Sequence, residues 1–122
     1  LNRPGYFYAP TVLNNVSDAA MIMNEEPFGP VAPISSFSSV DEVIGRANRL
    51  EFGLAAYAFT HDPKIIARLR NEVETGLLAV NSTVVSTPET PFGGIKHSGY
   101  GSEGGIEGLE AFLVTRFITE TH

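Results

Sequence analysis

A pair of adjacent carboxylates, Glu25 and Glu26, stands directly before the tetrapeptide Pro27-Phe28-Gly29-Pro30. Two prolines and a glycine within four residues exclude regular structure, so this segment must form a shaped loop. A carboxylate can accept two hydrogen bonds from a ribose diol, and a rigid frame could hold the Phe28 ring against a cofactor. The same residues could also form a solvated turn with a buried phenylalanine. The residues alone leave both interpretations open.

The other side chains give little support to nucleophilic or metal chemistry. The chain has no cysteine, which excludes a thiol nucleophile, a disulfide scaffold and a cysteine-based metal site in these residues. No two histidines share the spacing of metal ligands, and no serine lies in a G-x-S-x-G setting. The residues considered are His61, His97, His122, Ser82, Ser86 and Ser98. We therefore predict no catalytic residue and no metal site in this chain.

Gly99, Gly101 and Gly104 match the G-x-G-x-x-G dinucleotide fingerprint as text. The fingerprint requires an apolar strand before it and an acidic residue on a following strand, and this sequence offers neither. We therefore expect the glycine-rich residues 91–101 to pack closely against other backbone, not to bind a phosphate.

The composition is that of one modest globular domain. Of the 122 residues, 43% are hydrophobic and 18% are charged, which permits a buried core. A net charge of −6, with scattered lysines and arginines, argues against nucleic acid or an anionic membrane as a partner. No apolar run approaches the roughly 20 residues of a membrane span, and no signal-peptide pattern opens the chain. We expect a soluble, cytoplasmic protein, and the start at Leu1 hints that a longer polypeptide continues here.

Strand and helix signals alternate through the middle of the chain. Residues 31–37 suit a strand. Ser39 and Glu42 then form a capping box, in which the serine oxygen and the carboxylate satisfy free N–H groups at a helix start. Residues 54–60 are a nearly continuous apolar run, as in a strand covered on both faces.

A second helix and a third strand follow. Asp62 and Pro63 provide an N-cap and a first helical residue, Gly76 is expected to close the helix, and residues 77–81 suit a short buried strand. This order predicts an α/β fold built from parallel βαβ units. Right-handed crossovers put both helices on one face of the sheet. The chain does not supply a second layer, so we expect something else to pack there.

The last third of the chain contains a loop, a weak helix and an isolated strand signal. The loop of residues 82–91 follows the third strand at its carboxyl end, where open α/β sheets place their ligands. A short helix is predicted over residues 102–111. Residues 114–121 alternate β-branched or aromatic side chains with polar ones, which indicates an exposed strand that needs a partner.

Several spaced motifs together resemble the aldehyde dehydrogenase superfamily. Glu25-Glu26-Pro27-Phe28-Gly29-Pro30 is similar to its E-E-x-F-G-P motif. Further pieces follow in the family's order: Gly53-Leu54-Ala55-Ala56, Val80-Asn81, Pro91-Phe92-Gly93-Gly94-Ile95-Lys96 and Ser98-Gly99. The resemblance runs from about residue 5 to the end. Members of the family are several times longer, so the chain looks like the C-terminal part, with residues 1–112 in the catalytic domain and 113–122 as an oligomerisation strand.

The resemblance implies roles for four residues. Glu26 would hold the ribose hydroxyls of NAD or NADP, and Phe28 would pack near the nicotinamide. Ser86 would contact the distal carboxylate of the substrate, and Phe92 would line the same tunnel. The stretch around these last two is most similar to succinate-semialdehyde and oxoglutarate-semialdehyde dehydrogenases, which oxidise a semialdehyde to a carboxylic acid.

The nucleophilic cysteine, the general base and the Rossmann-like cofactor domain lie upstream in relatives, so the chain alone should be inactive. Its expected partners are the aldehyde substrate, the remainder of the parent chain and further copies of the enzyme in a dimer or tetramer. Two alternatives stay open. One is a non-catalytic truncated paralogue that binds partner subunits, and the other is a bare nucleotide-binding domain.

Overall fold

Short strand pairs and two helices organise the chain in the computed structural model, which describes residues 4–122. The chain divides into two compact units, Leu1–Glu42 and Val43–His122. The predicted domains, residues 1–112 and 113–122, refer to an assembled enzyme and stay a prediction. In chain order the elements are β1 (Thr11–Leu13), a 3₁₀ turn (Met21–Met23), β2 (Val31–Pro33), α1 (Val40–Asn48), β3 (Phe52–Gly53), β4 (Ala55–Ala58), α2 (Pro63–Glu72), β5 (Leu77–Val80), β6 (Ile95–Lys96) and α3 (Glu107–Glu110).

The first unit contains a parallel strand pair. β1 and β2 run parallel, with Thr11 opposite Val31. The strand predicted over residues 31–37 is too long, since β2 ends at Pro33. Its partner strand stops at Leu13, and the chain then turns at Asn15, which has a φ of 54°. Ile34 still donates its N–H to the Leu13 carbonyl at 2.8 Å and accepts from the Val16 N–H at 3.2 Å, so backbone pairing extends one residue past Pro33.

The capping box at the start of α1 is confirmed with one change. The Ser39 hydroxyl accepts from the Glu42 N–H at 3.1 Å, as predicted. The Glu42 carboxylate reaches back to Ser38, where it accepts from the backbone N–H at 2.8 Å and the hydroxyl at 2.7 Å. The reciprocal bond therefore closes one residue earlier than the capping pattern predicts.

The second unit is built around one parallel βαβ unit, which confirms the mixed α/β class. The predicted series of βαβ units in one sheet is wrong, because β2 pairs with β1 and, of the described strands, only β4 and β5 pair across an α-helix. β4 and β5 run parallel, from Ala55 opposite Leu77 to Ala58 opposite Val80, and α2 connects them. The N-cap is confirmed, since one Asp62 carboxylate oxygen accepts from the N–H groups of Lys64 and Ile65 at 2.8 and 3.3 Å.

The predicted role of Gly76 as the residue that closes α2 is wrong. The helix ends at Glu72, and the capping residue Val73 is extended, with φ −81° and ψ 120°. Gly76 does not adopt a left-handed conformation. A Cβ at this position would instead overlap the carbonyl oxygen of Gly93. Glycine is needed here because two backbone segments meet, not because the helix has to turn.

β4 is much less covered than its apolar sequence predicted. Leu77 and Ala79 of β5 are buried, whereas Tyr57 of β4 is 50% exposed and Phe59, just beyond it, is 69% exposed. Ile44 of α1 is the other buried apolar side chain of the described residues. Residues 4–122 do not supply a second layer over β4, as the sequence indicated.

The end of the chain carries little regular structure. α3 lies inside the helix predicted over residues 102–111, but it is one turn long. Residues 113–122 form no strand in the single chain, and their side chains are exposed. An edge strand obtains its ladder from a neighbour, so pairing of this segment in an assembly stays a prediction. Within residues 4–122, no helix is long and apolar enough to cross a membrane, and no cluster of metal-ligating side chains is present.

We expect Gly76→Ala to destabilise the fold by about 1–3 kcal/mol, because the new methyl group has no space against the Gly93 backbone. Gly45→Ala is the matched control, since a Cβ at Gly45 in α1 meets nothing within 4 Å. Alanine should stabilise that helix by up to about 1 kcal/mol. Urea unfolding of the two variants measures the difference, and equal midpoints would contradict the close approach.

Candidate functional site

Glu26 and Phe28 lie on an exposed loop of the first unit. The loop is shaped by short-range bonds: the Gly29 N–H donates to the Pro27 carbonyl at 2.9 Å, and the Val31 N–H donates to the Gly29 carbonyl at 2.8 Å. Thr11 of β1 donates its N–H to the Pro30 carbonyl at 2.9 Å and so fixes the end of the loop. This confirms the prediction of a shaped loop.

The side chains of this loop point away from the unit's own interior. The Phe28 side chain is 92% exposed, and Glu26 is exposed as well. A solvated turn with a buried phenylalanine is therefore not what forms. One exposed aromatic ring does not by itself mark a binding surface, but its place on this hydrogen-bonded loop leaves the whole ring accessible to a ligand.

Ser86 and Phe92 lie in the second unit, on the connection that leaves the carboxyl end of β5. Ser86 is exposed, and Phe92 is half-buried. Phe92 and Glu103 exchange two backbone hydrogen bonds, of 2.6 and 2.7 Å, in an isolated antiparallel bridge. Between Ser86 and Phe92, the hydroxyl of Thr90 donates to the Thr87 carbonyl at 3.1 Å. Hydrogen bonds to backbone groups therefore fix the segment at several points.

The glycine-rich segment packs closely, which confirms that part of the prediction. A Cβ on Gly93 would lie 2.5 Å from the carbonyl oxygen of Gly101. A Cβ on Gly104 would lie 2.7 Å from the carbonyl oxygen of Thr90, and Gly104 has a φ of 66°. Gly93 and Gly104 therefore let residues 101–104 fold back over the segment that carries Phe92.

Sequence reasoning missed the antiparallel pair that supports this segment. β3 pairs with β6, with Phe52 opposite Lys96 and Gly53 opposite Ile95. The Gly53 N–H also donates to the Ser98 hydroxyl at 2.9 Å. Each strand has two residues, which is too short for any hydrophobic periodicity to reveal. The pair nevertheless joins the glycine-rich segment to the start of β4.

Lys96 of β6 is a charged residue whose ammonium group bonds to several other elements. Its ammonium group donates to the carbonyl oxygens of Asn48 and Leu50 at 3.2 and 3.1 Å and forms an ion pair with Glu74. The three N–H groups of the ammonium therefore have three acceptors. The Asn48 amide donates to the Glu72 carbonyl at 2.6 Å and accepts from the Glu74 N–H at 2.8 Å. Lys96 and Asn48 together connect the ends of α1 and α2 to β6.

The comparison with protein families decides the wider identity. Residues 1–118 match the aldehyde dehydrogenase family. The chain belongs to that family, whose members are oxidoreductases. The resemblance drawn from the Glu26, Phe28 and Phe92 motifs is thereby confirmed at the level of the family.

Two curated relatives match nearly the whole chain. The chain is 54% identical over 114 residues to the 4-(hydroxymethyl)benzenesulfonate dehydrogenase of Comamonas testosteroni, covering 93% of this chain and 24% of that protein. It is 44% identical over 118 residues to the succinate-semialdehyde dehydrogenase of Paenarthrobacter nicotinovorans, covering 97% of this chain and 26% of that one. The chain thus spans about a quarter of the length of these relatives.

Solved structures of dehydrogenases match the chain as well. The 3,6-anhydro-L-galactose dehydrogenase in complex with NADP matches with a TM-score of 0.86 at 40% identity, over 92% of this chain and 24% of that one. The betaine aldehyde dehydrogenase of Staphylococcus aureus in complex with NAD⁺ matches with a TM-score of 0.85 at 37% identity, over 90% and 22% of the two chains. Both nicotinamide cofactors therefore occur among the structural relatives of this member of the aldehyde dehydrogenase family.

We expect Lys96→Met to destabilise the second unit by about 1.5–3 kcal/mol, because the substitution keeps the apolar stem but removes all three charged hydrogen bonds. Lys64→Met is the matched control at an exposed position of α2, where the change should stay within about 0.5 kcal/mol. Thermal unfolding measures both variants. Equal stability of the two would show that the Lys96 contacts contribute nothing.

Proposed function

We propose that this chain is the C-terminal part of the catalytic domain of an NAD(P)-dependent aldehyde dehydrogenase. The observation that carries the proposal is the continuous match of residues 1–118 to the family, together with coverage of only about a quarter of each relative. The remainder of the parent chain would supply the nucleophilic cysteine, since this sequence contains none. A cytoplasmic location stays a prediction.

The substrate we propose is an aldehyde that carries an anionic group away from the reacting carbon. The two relatives named above act on molecules with a carboxylate or a sulfonate group at the far end. Ser86 is exposed on the loop after β5, and a hydroxyl can donate to either anion without adding charge to the site. Phe92 would provide an apolar wall beside the carbon chain. Succinate semialdehyde is the specific substrate we predict.

The first unit offers groups that fit a nicotinamide nucleotide. Glu26 is an exposed carboxylate that can accept hydrogen bonds from both hydroxyls of a ribose. Phe28 presents an almost fully exposed ring from a constrained loop, and such a ring can pack against the flat nicotinamide. When bound, the cofactor would accept the hydride from the substrate. Both residues would act by positioning, since neither is a nucleophile.

The remaining exposed apolar surface fits the proposed partners. Tyr57 of β4 and Phe59, just beyond it, would be covered by the remainder of the parent chain. Residues 113–122, in which Phe117 is 87% exposed, would pair with another subunit in a dimer or tetramer. The same exposed segment is what favours the second candidate, a truncated paralogue that binds partner subunits without catalysis.

The two candidates predict different activities for the parent enzyme. The enzyme that contains this sequence should reduce NAD or NADP in the presence of succinate semialdehyde, measured as absorbance of the reduced cofactor. The 122-residue chain alone should show no such activity. Activity from the pure chain would contradict our assignment of the nucleophile. An in-frame upstream segment that encodes the cysteine and the cofactor domain would eliminate the paralogue.

We expect Glu26→Gln in that enzyme to raise KM for the cofactor and to lower kcat, each by about tenfold. Glutamine keeps the length of the side chain but loses the charge that favours two ribose hydroxyls, so the nicotinamide is held less well. Misplacement by about an ångström can cost roughly a hundredfold in rate, and a partial loss of position should cost less. Glu25→Gln is the matched control, one residue away. Equal kinetics in the two variants would refute the role of Glu26.

A further inference from the structure

The parallel ladder between β4 and β5 ends in an unusual way. Along this pair the Leu77 N–H donates to the Leu54 carbonyl at 3.0 Å, and the Asn81 N–H donates to the Ala58 carbonyl at 2.8 Å. In a regular parallel ladder the bonds are evenly spaced. The next two would run from the Thr60 N–H to the Asn81 carbonyl, and from the Thr83 N–H to the Thr60 carbonyl.

The side chain of Asn81 takes the place of both of these bonds. The Thr60 N–H donates to the Asn81 amide oxygen at 2.9 Å, and the Asn81 amide nitrogen donates to the Thr60 carbonyl at 2.8 Å. A carboxamide carries the same acceptor and donor as a peptide group, so it can replace one. The ladder therefore continues for one more pair of hydrogen bonds, in which the Asn81 side chain replaces the main chain of β5.

The main chain turns away from the sheet at the same residue. Asn81 has a φ of 56°, a left-handed conformation that asparagine tolerates better than most residues. Ladder pairing no longer engages the Asn81 carbonyl or the Thr83 N–H. The loop of residues 82–91, which carries Ser86, thus starts in a fixed direction at the carboxyl end of the strands, where α/β sheets bind their ligands.

We propose that Asn81 is a positioning residue for the substrate loop of residues 82–91. Its side-chain amide fixes the residue at which the loop leaves the sheet, and it thereby sets the position of Ser86 relative to the bound substrate. The identity of the ligand, an aldehyde with a distal anion, rests on the proposed function. The proposal gives Asn81 no direct contact with the substrate or the cofactor, since its amide is bonded to Thr60.

Asn81→Gly in the enzyme that contains this chain tests the proposal. Glycine readily adopts a positive φ, so the variant removes the amide without straining the left-handed backbone. We expect KM for succinate semialdehyde to rise about tenfold, less than the roughly hundredfold that an ångström can cost, with KM for the cofactor unchanged. KM for butanal, which has four carbons and no carboxylate, should rise much less. The matched control is Asn15→Gly, at a residue with a φ of 54° in the first unit.

A wild-type enzyme that does not oxidise the semialdehyde would contradict the proposed function. It would not contradict the inference that the hydrogen bonds of Asn81 fix the start of the loop. An active wild type in which Asn81→Gly and Asn15→Gly give the same KM for both aldehydes would overturn the inference about Asn81. An equal rise of KM for succinate semialdehyde and butanal would also overturn it, because a general weakening of the fold does not distinguish the anion.

Asn81→Asp provides a readout that needs no substrate. Aspartate keeps an oxygen that accepts from Thr60, but its carboxylate would face the Thr60 carbonyl, which raises the pKa of the new group. Protonation restores a donor to that carbonyl. The loss of thermal stability relative to wild type should therefore be largest at pH 8 and should shrink as the pH falls to 5, whereas Asn81→Gly should show no such recovery. A loss that does not depend on pH in Asn81→Asp would contradict the bond to the Thr60 carbonyl.

Discussion

The second unit depends on two backbone segments approaching each other more closely than any side chain permits. Gly76, just before β5, meets the backbone of Gly93, and a Cβ on Gly53 would lie 2.5 Å from the carbonyl oxygen of Glu74. The first contact holds the segment that carries Phe92 against the βαβ unit, and the second holds β3 against the residues that follow α2. Ile44, Leu77 and Ala79 are the buried apolar side chains of residues 4–122. Apolar burial within this chain is therefore limited, and the substrate segment is positioned largely by backbone geometry.

Local signals in the sequence predicted the elements whose determinants are local. Asp62 followed by Pro63 gave the start of α2, and Ser39 with Glu42 gave the start of α1, because these caps bond to neighbours within a few residues. Gly76 was misread because a glycine can be required for its φ or for its small size. A sequence does not distinguish the two reasons. The second depends on where Gly93 lies in space, and Gly93 is 17 positions further along the chain.

The candidate site was predictable from motifs and not from physics alone. Nothing about Glu26 and Phe28 taken singly distinguishes a cofactor loop from a solvated turn, and only the ordered series of motifs favoured the former. The structure adds that the Phe28 ring is 92% exposed, which the buried-ring interpretation did not predict. Lys96 and Asn81 were visible only as parts of motifs. Their roles depend on partners such as Asn48 and Thr60, which are distant in sequence and are brought close only by the fold.

Side chains repeatedly take the place of main-chain partners where elements end. The Glu42 carboxylate accepts from the Ser38 N–H, the Asn48 amide bonds both a carbonyl and an N–H after α2, and the Asn81 amide does the same beside β4. Each bond satisfies a backbone group that the end of an element would leave unpaired. A proline would also end a strand, but it would leave the partner's groups unpaired. An asparagine satisfies these groups and still lets the main chain turn, which suits a strand that must end where a ligand-binding loop begins.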